Sequence, residues 1–341
     1  MADERSRGVT ITEIARVAGV SVPTVSRVVN GRADVAPGTR ERIEELLREH
    51  GYRKRLPRPD GPAGSGLVDL VFNDLDSPWA VEIIRGVEDV AHAAGNGVVV
   101  SAIHRRTSSA RQWLDNVSAR ATDGVIIVTS ELAPSVHADL RRIHVPAVVV
   151  DPAGLPPLDV PTIGATNWAG GLSATQHLVG LGHRRIGFVT GPMQVLCSRA
   201  RLDGYRAGLE SAGVAVDPAL VRDGDFYQDS GFRAGEELLD LADPPTAVFA
   251  SSDQMAFGVY EAVRRRGLRV PEDVSVVGFD DLALAAWASP PLTTVRQPLA
   301  EMGALAARTV LGLARGEQAD NPRVELATEL VVRESTAPPR G

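Results

Sequence analysis

At 341 residues, with 44% apolar side chains and a mean hydropathy near zero, the chain is long enough for two or three modules that each bury a core. No apolar run approaches the ~18 residues of a membrane span, the opening MADERSRG is charged where a secretion signal is apolar, and the single cysteine, Cys197, excludes an internal disulfide or a cysteine-based metal site. The net charge of −7 is uneven: residues 1–60 hold 12 Lys+Arg against 9 Asp+Glu and the remainder 24 against 34, so a basic front precedes an acidic body.

These limits describe a cytoplasmic protein with no metal and no cofactor, and Cys197 reads as a small buried hydrophobe rather than a reactive thiol. In the front segment, ITEIARVAGVSVPTVSRVVNG (11–31), Thr10 can cap a helix with Glu13 reaching back to it, and Ile14, Val17 and Ala18 share one face. Gly19 allows the left-handed backbone of a tight exit, Val20 fills the corner, and Ser21 caps a second helix that tolerates Pro23 in its first turn. Val25, Val28 and Val29 point inward. The outward row is Val22, Pro23, Thr24, Ser26, Arg27 and Asn30: small hydrogen-bonding groups suited to phosphates, one guanidinium whose fork fits a guanine edge, and apolar atoms for a thymine methyl. A third helix from Pro37, with Ile43, Leu46 and Leu47 inward and Gly51 at its end, completes a three-helix core. A small helical hairpin used for protein contact fits the same pattern.

From Leu67, short apolar runs alternate with helical stretches, the reading of βαβ units. LVDLVF (67–72), GVVVSAI (97–103), GVIIVT (124–129) and AVVVD (147–151) form one set of strands; RIGFVT (185–190), TAVFAS (246–251) and VSVVGF (274–279) begin a second. Two doubly wound parallel sheets follow, with ligands expected at the carboxyl ends of their strands. Asp76 and Trp79 follow the first strand, Asp151 the fourth, Arg199 and Arg201 the fifth, Asp253 and Gln254 the sixth, Asp280 and Asp281 the last. Carboxylates and guanidinium groups make paired hydrogen bonds to neighbouring hydroxyls and an indole face stacks on a sugar ring, so the set fits a carbohydrate; any one carboxylate also reads as a helix cap. Enzyme signatures are wanting: GPAGSG lacks the Lys-Ser/Thr of a phosphate loop, no G-x-S-x-G elbow occurs, and the seven histidines show no H-E-x-x-H pairing. Paired carboxylates remain compatible with a glycosidase, and the body's fold with a transport-type binding protein.

TEIARVAGVS, TVSRVVNG and TRERIEELLREHGY in the front, and GGLSATQHLVGLGHRRIGFVTG, RLDGYRAGL, FASSDQMAFG, VPEDVSVVGFDD and SPPLTTVRQP in the body, resemble the LacI/GalR family of bacterial repressors over nearly the whole chain. The resemblance implies an all-α helix-turn-helix head (1–56), a Pro/Gly-rich hinge or linker (57–66) and an α/β periplasmic-binding-protein-like body (67–341) of two doubly wound parallel subdomains. The first would span about 67–161 plus 293–320, the second about 162–292 plus 321–335. It further implies that Val22, Pro23 and Arg27 read bases while Ser21, Thr24, Ser26, Asn30, Thr39 and Tyr52 hold phosphates, and that Arg201, Asp253 and Asp280 contact an effector with Gln297, Phe226 and Trp287 nearby. The partners it implies are a palindromic operator, read by a homodimer on the nucleoid, and a small sugar, mono- or oligosaccharide and in family habit xylan-derived; a purine or partner-protein corepressor is the alternative. The tail ELVVRESTAPPRG has no leucine heptad, so a dimer rather than a tetramer is expected.

Three departures stand out. Ala36 replaces the usual serine-like cap of the third helix. Thr166-Asn167-Trp168 replaces Asp-Asn before Gly170-Gly171, leaving Trp168 as either a second stacking surface or core. In RKRLPRPDGPAGSG (53–66), Gly61 stands where relatives wedge a leucine into the minor groove, and Pro57, Pro59 and Pro62 oppose the hinge helix that carries it. That segment is either a flexible linker or an extended basic strand whose Arg55 and Arg58 follow the minor groove.

Overall fold

Helix-period patterns at the front and strand-length apolar runs behind them separate cleanly in the computed structural model, which describes residues 11–29, 35–49, 65–103, 107–128, 138, 140, 144–152, 154, 160–319 and 321–340. Two compact units result, 1–60 and 61–341.

In the first unit, α1 (Ile11–Ala18), α2 (Val22–Val29) and α3 (Pro37–Glu49) pack Ile14, Ala15, Ala18, Val25, Val28 and Ile43 into a small core. Gly19, at φ +69°, makes the turn between α1 and α2. Val17, expected inside, is 44% exposed: the α1 face is narrow, and Ala15 with Ala18 fills it instead. Val22 turns partly toward the core, so the outward row loses its first member. Arg53–Gly64, with the hinge readings attached to it, lies outside the described residues.

The body is two six-stranded sheets. The first holds β1 (Leu67–Phe72), β2 (Gly97–Ala102), β3 (Gly124–Val128), β4 (Ala147–Val150), β5 (Thr162–Ala165) and β11 (Arg323–Leu326) in the order β11-β5-β4-β3-β1-β2, all parallel. The second holds β6 (Ile186–Val189), β7 (Val221–Arg222), β8 (Ala247–Ala250), β9 (Ser275–Asp280), β10 (Thr293–Arg296) and β12 (Glu329–Val331) in the order β12-β10-β9-β8-β6-β7, with only β12 antiparallel. Central strands such as β3 and β9 are buried throughout because helices cover both faces, whereas the edge strand β2 is half exposed. Strand order reverses between β1 and β3 and between β6 and β8, and a crevice opens at each such reversal.

Sheet membership moves three subdomain boundaries. β5 belongs to the first sheet although 162 was expected to open the second; β10 pairs with β9 and not with the first half; β11 pairs with β5 although 321–326 was placed in the second half. The chain therefore crosses between halves near 166, 297 and 327, sending α11 (Leu299–Ala314) back onto the first sheet, where Met302, Ala306 and Val310 join its core. Two crossings are tied together: the Thr328 amide donates to Thr166 Oγ1 at 2.9 Å and the Thr166 amide to the Leu326 carbonyl at 2.9 Å.

In the second half, α6 (Asn167–Gly180) and α7 (Leu196–Ser211) touch backbone to backbone. A Cβ on Gly204 would sit 2.2 Å from the Trp168 carbonyl oxygen, and one on Gly171 2.5 Å from that of Arg201. Gly171 is thus the seat of α7, while Gly170 lies against the Phe279 and Val295 side chains. Gly204→Ala is expected to push the helices apart and to destabilise the body by about 1–3 kcal/mol, read as a lowered midpoint in urea denaturation.

Candidate functional site

The two crevices face each other across one cleft of about 120 Å³ at the carboxyl ends of both sheets. From the first half it is lined by Phe72 at the end of β1, Asn73 and Asp74 just after it, Ser77 and Trp79 at the start of α4 (Pro78–Ala93), Val128 and Asp151; from the second by Cys197, Arg201, Asp225, Phe226, Tyr227, Ser252, Gln254 and Asp280.

Arg201 organises this wall. It rises from α7, is 3% exposed, donates from Nε to Asn167 Oδ1 at 2.8 Å and from Nη1 to the Ser251 carbonyl at 2.6 Å, and lies 3.8 Å from Asp280 Oδ1. Its guanidinium stacks 3.7 Å from the Phe279 ring centre, with Phe226 at 5.7 Å. Burial raises the Asp280 carboxyl to about 7, against the pull of Arg201 and of the Gln297 amide, which donates to Asp280 Oδ1 at 2.7 Å. Asp151 is likewise raised by burial, with Arg201 and a hydrogen bond with the Cys197 thiol opposing. One guanidinium thus faces two buried carboxylates. The backbone is strained here: Asp151 (φ +48°), Phe226 (+75°), Asp280 (+121°) and Asp281 (+58°) all occupy the left-handed region without being glycine.

Of the ten residues proposed from sequence, Trp79, Asp151, Arg201, Phe226 and Asp280 line the cleft, and Gln297 stands behind Asp280. The other four do not. Asp76 is exposed on the loop beyond Asp74. Asp253 is fully buried, accepting from the Leu282 amide at 2.8 Å and from the Thr294 hydroxyl; burial and the neighbouring Asp280 hold its carboxyl well above the ordinary range. It braces the fold. Trp168 is 48% exposed and Trp287, on the short α10 (Ala283–Trp287), 77% exposed, so neither stacks in the cleft and Trp168 is not core. Sequence reasoning missed Asn73, Asp74, Ser77, Asp225, Tyr227 and Ser252. Asn73 and Asp74 directly follow β1, so the strand-end rule, applied one turn closer to the strand, finds them.

In the first unit, Ser21 Oγ accepts from the Thr24 amide at 3.3 Å and lies 2.8 Å from Thr24 Oγ1, capping α2. Pro23 and Arg27 are exposed and Thr24 and Thr39 half-buried. The side chain of Ser26 and residues Asn30, Tyr52, Arg55 and Arg58 lie outside the described residues. Ala36 is exposed, and its carbonyl accepts from the Thr39 and Arg40 amides.

Residues 10–54 match the family described as bacterial regulatory proteins, lacI family, and residues 175–336 the periplasmic binding protein-like domain. The HTH-type transcriptional regulator CelR of Thermobifida fusca is 38% identical over 339 residues, 97% of this chain and 99% of its own. The chain belongs to the LacI family. A solved complex of the transcriptional regulator CelR with cellobiose aligns at a TM-score of 0.75 and 36% identity over 96% of this chain and 99% of that one. The lac repressor dimer bound to operator and an anti-inducer aligns at 0.77 and 30% identity over 97% and 100%. As in that family, a helix-turn-helix region precedes a two-sheet parallel body. Among the described residues no helix is long and apolar enough to cross a membrane.

Asp280 gives this LacI-family body a signed pH dependence. Its folded value lies above the ordinary one, so between about pH 4 and pH 7 the native state holds a proton that the unfolded chain has released, and stability contributed by this group falls as pH rises through that window. Without effector, the melting midpoint of the wild type is expected to drop more between pH 5 and pH 8 than that of Asp280→Asn, as read by calorimetry.

Proposed function

We propose that the protein is a transcriptional repressor that binds a palindromic operator as a homodimer through α2, and releases it when a neutral sugar occupies the cleft. The observation that carries this is the pairing, in one chain, of a helix-turn-helix with its arginine exposed on the second helix and a cleft whose wall carries Asp151, Asp280, Arg201 and Trp79. Carboxylates accept from vicinal hydroxyls, the guanidinium donates, and the indole offers an apolar face to a pyranose ring. Asp74, Asp151, Asp225 and Asp280 against Arg201 make a wall that disfavours phosphorylated sugars.

The cellobiose in the CelR complex supports a plant-polymer oligosaccharide, with cellobiose the first effector to test and xylan-derived oligosaccharides the next. The lac repressor dimer on its operator supports the two-fold reading, since one short helix reads too few base pairs alone. The protein works on DNA in the cytoplasm and is not an enzyme in this reading: Asp280 is engaged by Arg201 and Gln297, which suits holding a hydroxyl rather than attacking a sugar carbon.

In fluorescence anisotropy on an operator obtained by binding-site selection, cellobiose or xylobiose is expected to release the DNA and sugar phosphates to leave it bound. A nucleobase that tightens the complex would favour a corepressor, and chemical turnover of the sugar would favour an enzyme. Arg27→Ala is expected to cost about 1–3 kcal/mol of operator affinity and to relax preference at one base pair of each half-site; an unchanged selection profile would overturn the assignment. Changing Arg55 and Arg58 together to Ala is expected to weaken operator binding and flatten its salt dependence, measured by titration across salt concentrations.

A further inference from the structure

Beside the hydrogen bond of Asp151 with the Cys197 thiol, a second pair of side chains joins the two walls of the cleft. Gln254 Nε2, in the first turn of α9 (Asp253–Arg265) in the second half, donates to Ser77 Oγ of the first half at 2.8 Å, and both residues line the cleft. Ser77 is the N-cap of α4, and the same Oγ accepts from the amide of Trp79 at 3.3 Å.

Gln254 does not act from a loose loop. Ser252 caps α9 through the Met255 amide at 3.2 Å and donates to the Phe226 carbonyl at 3.0 Å; Asp253 holds the Leu282 amide at 2.8 Å. Leu282 is 2% exposed and packs into the first-half core that contains Ala80 and Ile83 of α4. Three consecutive residues therefore fix the Phe226 wall, an apolar plug in the opposite half, and a polar bond across the opening.

From this arrangement we propose that Gln254 and Ser77 form a latch that holds the cleft closed before any effector enters and sets the position of Trp79. They are positioning residues: Leu282 supplies the pivot, deep in the α4 core, and the Gln254–Ser77 bond closes the lip. A sugar that lies against Trp79 meets the latch at the atom that holds the Trp79 backbone amide, so the latch energy subtracts from the affinity of any ligand that needs a wider opening.

Cys197, the sole cysteine, is 3% exposed in the cleft wall and reports the opening without an effector. The experiment follows the rate at which 4,4′-dithiodipyridine modifies Cys197 of the full chain at pH 8. Gln254→Ala is expected to raise that rate about fivefold, the ratio that one net hydrogen bond supplies, and Gln254→Met, which keeps the length and removes the donor, to do the same. Ser77→Thr, which keeps the acceptor and the cap, should react as wild type does. In a Ser77→Ala background, Gln254→Ala should add nothing. An unchanged rate in both Gln254 variants, or an equal rise whether or not Ser77 is present, would overturn the latch; the second result would mean that the variants act through general loosening. No sugar or DNA enters the measurement, so its failure is distinct from failure of the repressor reading.

Discussion

A single guanidinium, that of Arg201, is where the two requirements of the body meet. Buried between Phe279 and the carboxylates of Asp280 and Asp151, it is anchored by the Asn167 side chain and the Ser251 carbonyl. Removing it would strand two carboxyl groups in a poorly solvated wall; leaving it without them would strand a cation. The glycine contacts of α6 and α7 are therefore part of the site, because they fix the height at which this side chain leaves its helix.

Much of the fold is legible from sequence because its strands are buried on both faces and read as unbroken apolar runs, as in GVIIV at β3 and SVVGF within β9. What escapes is short or polar. TIGA at β5, TTVR at β10 and RVEL at β11 carry too few apolar residues to declare themselves, and only pairing with a neighbour shows which sheet each joins. The misplaced subdomain boundaries are the direct result.

The site divides in the same way. Counting to the ends of strands finds Asp151, Arg201 and Asp280, since chain direction alone delivers them to the cleft. It cannot tell which way a carboxylate at a helix start turns: Asp253 and Gln254 are neighbours, yet the first is drawn inward by the Leu282 amide and Thr294 hydroxyl while the second faces the opening. Trp287 illustrates the complementary error, a large side chain placed near the pocket by family resemblance and left outside on a helix of five residues.

The three crossings also govern how the protein can be made. Neither half is a continuous stretch of chain: the first sheet takes its outer strand from 323–326 and part of its core from α11, while the second takes its antiparallel edge from 329–331. On the ribosome, more than two hundred and fifty residues of the body must therefore emerge before either lobe can close its sheet, and the unfinished edges of β5 and β10 stay open to other chains until then. A cut or stop before residue 323 leaves not one good lobe and one bad but two incomplete ones, which makes the body a single unit of synthesis and of quality control despite its division in space.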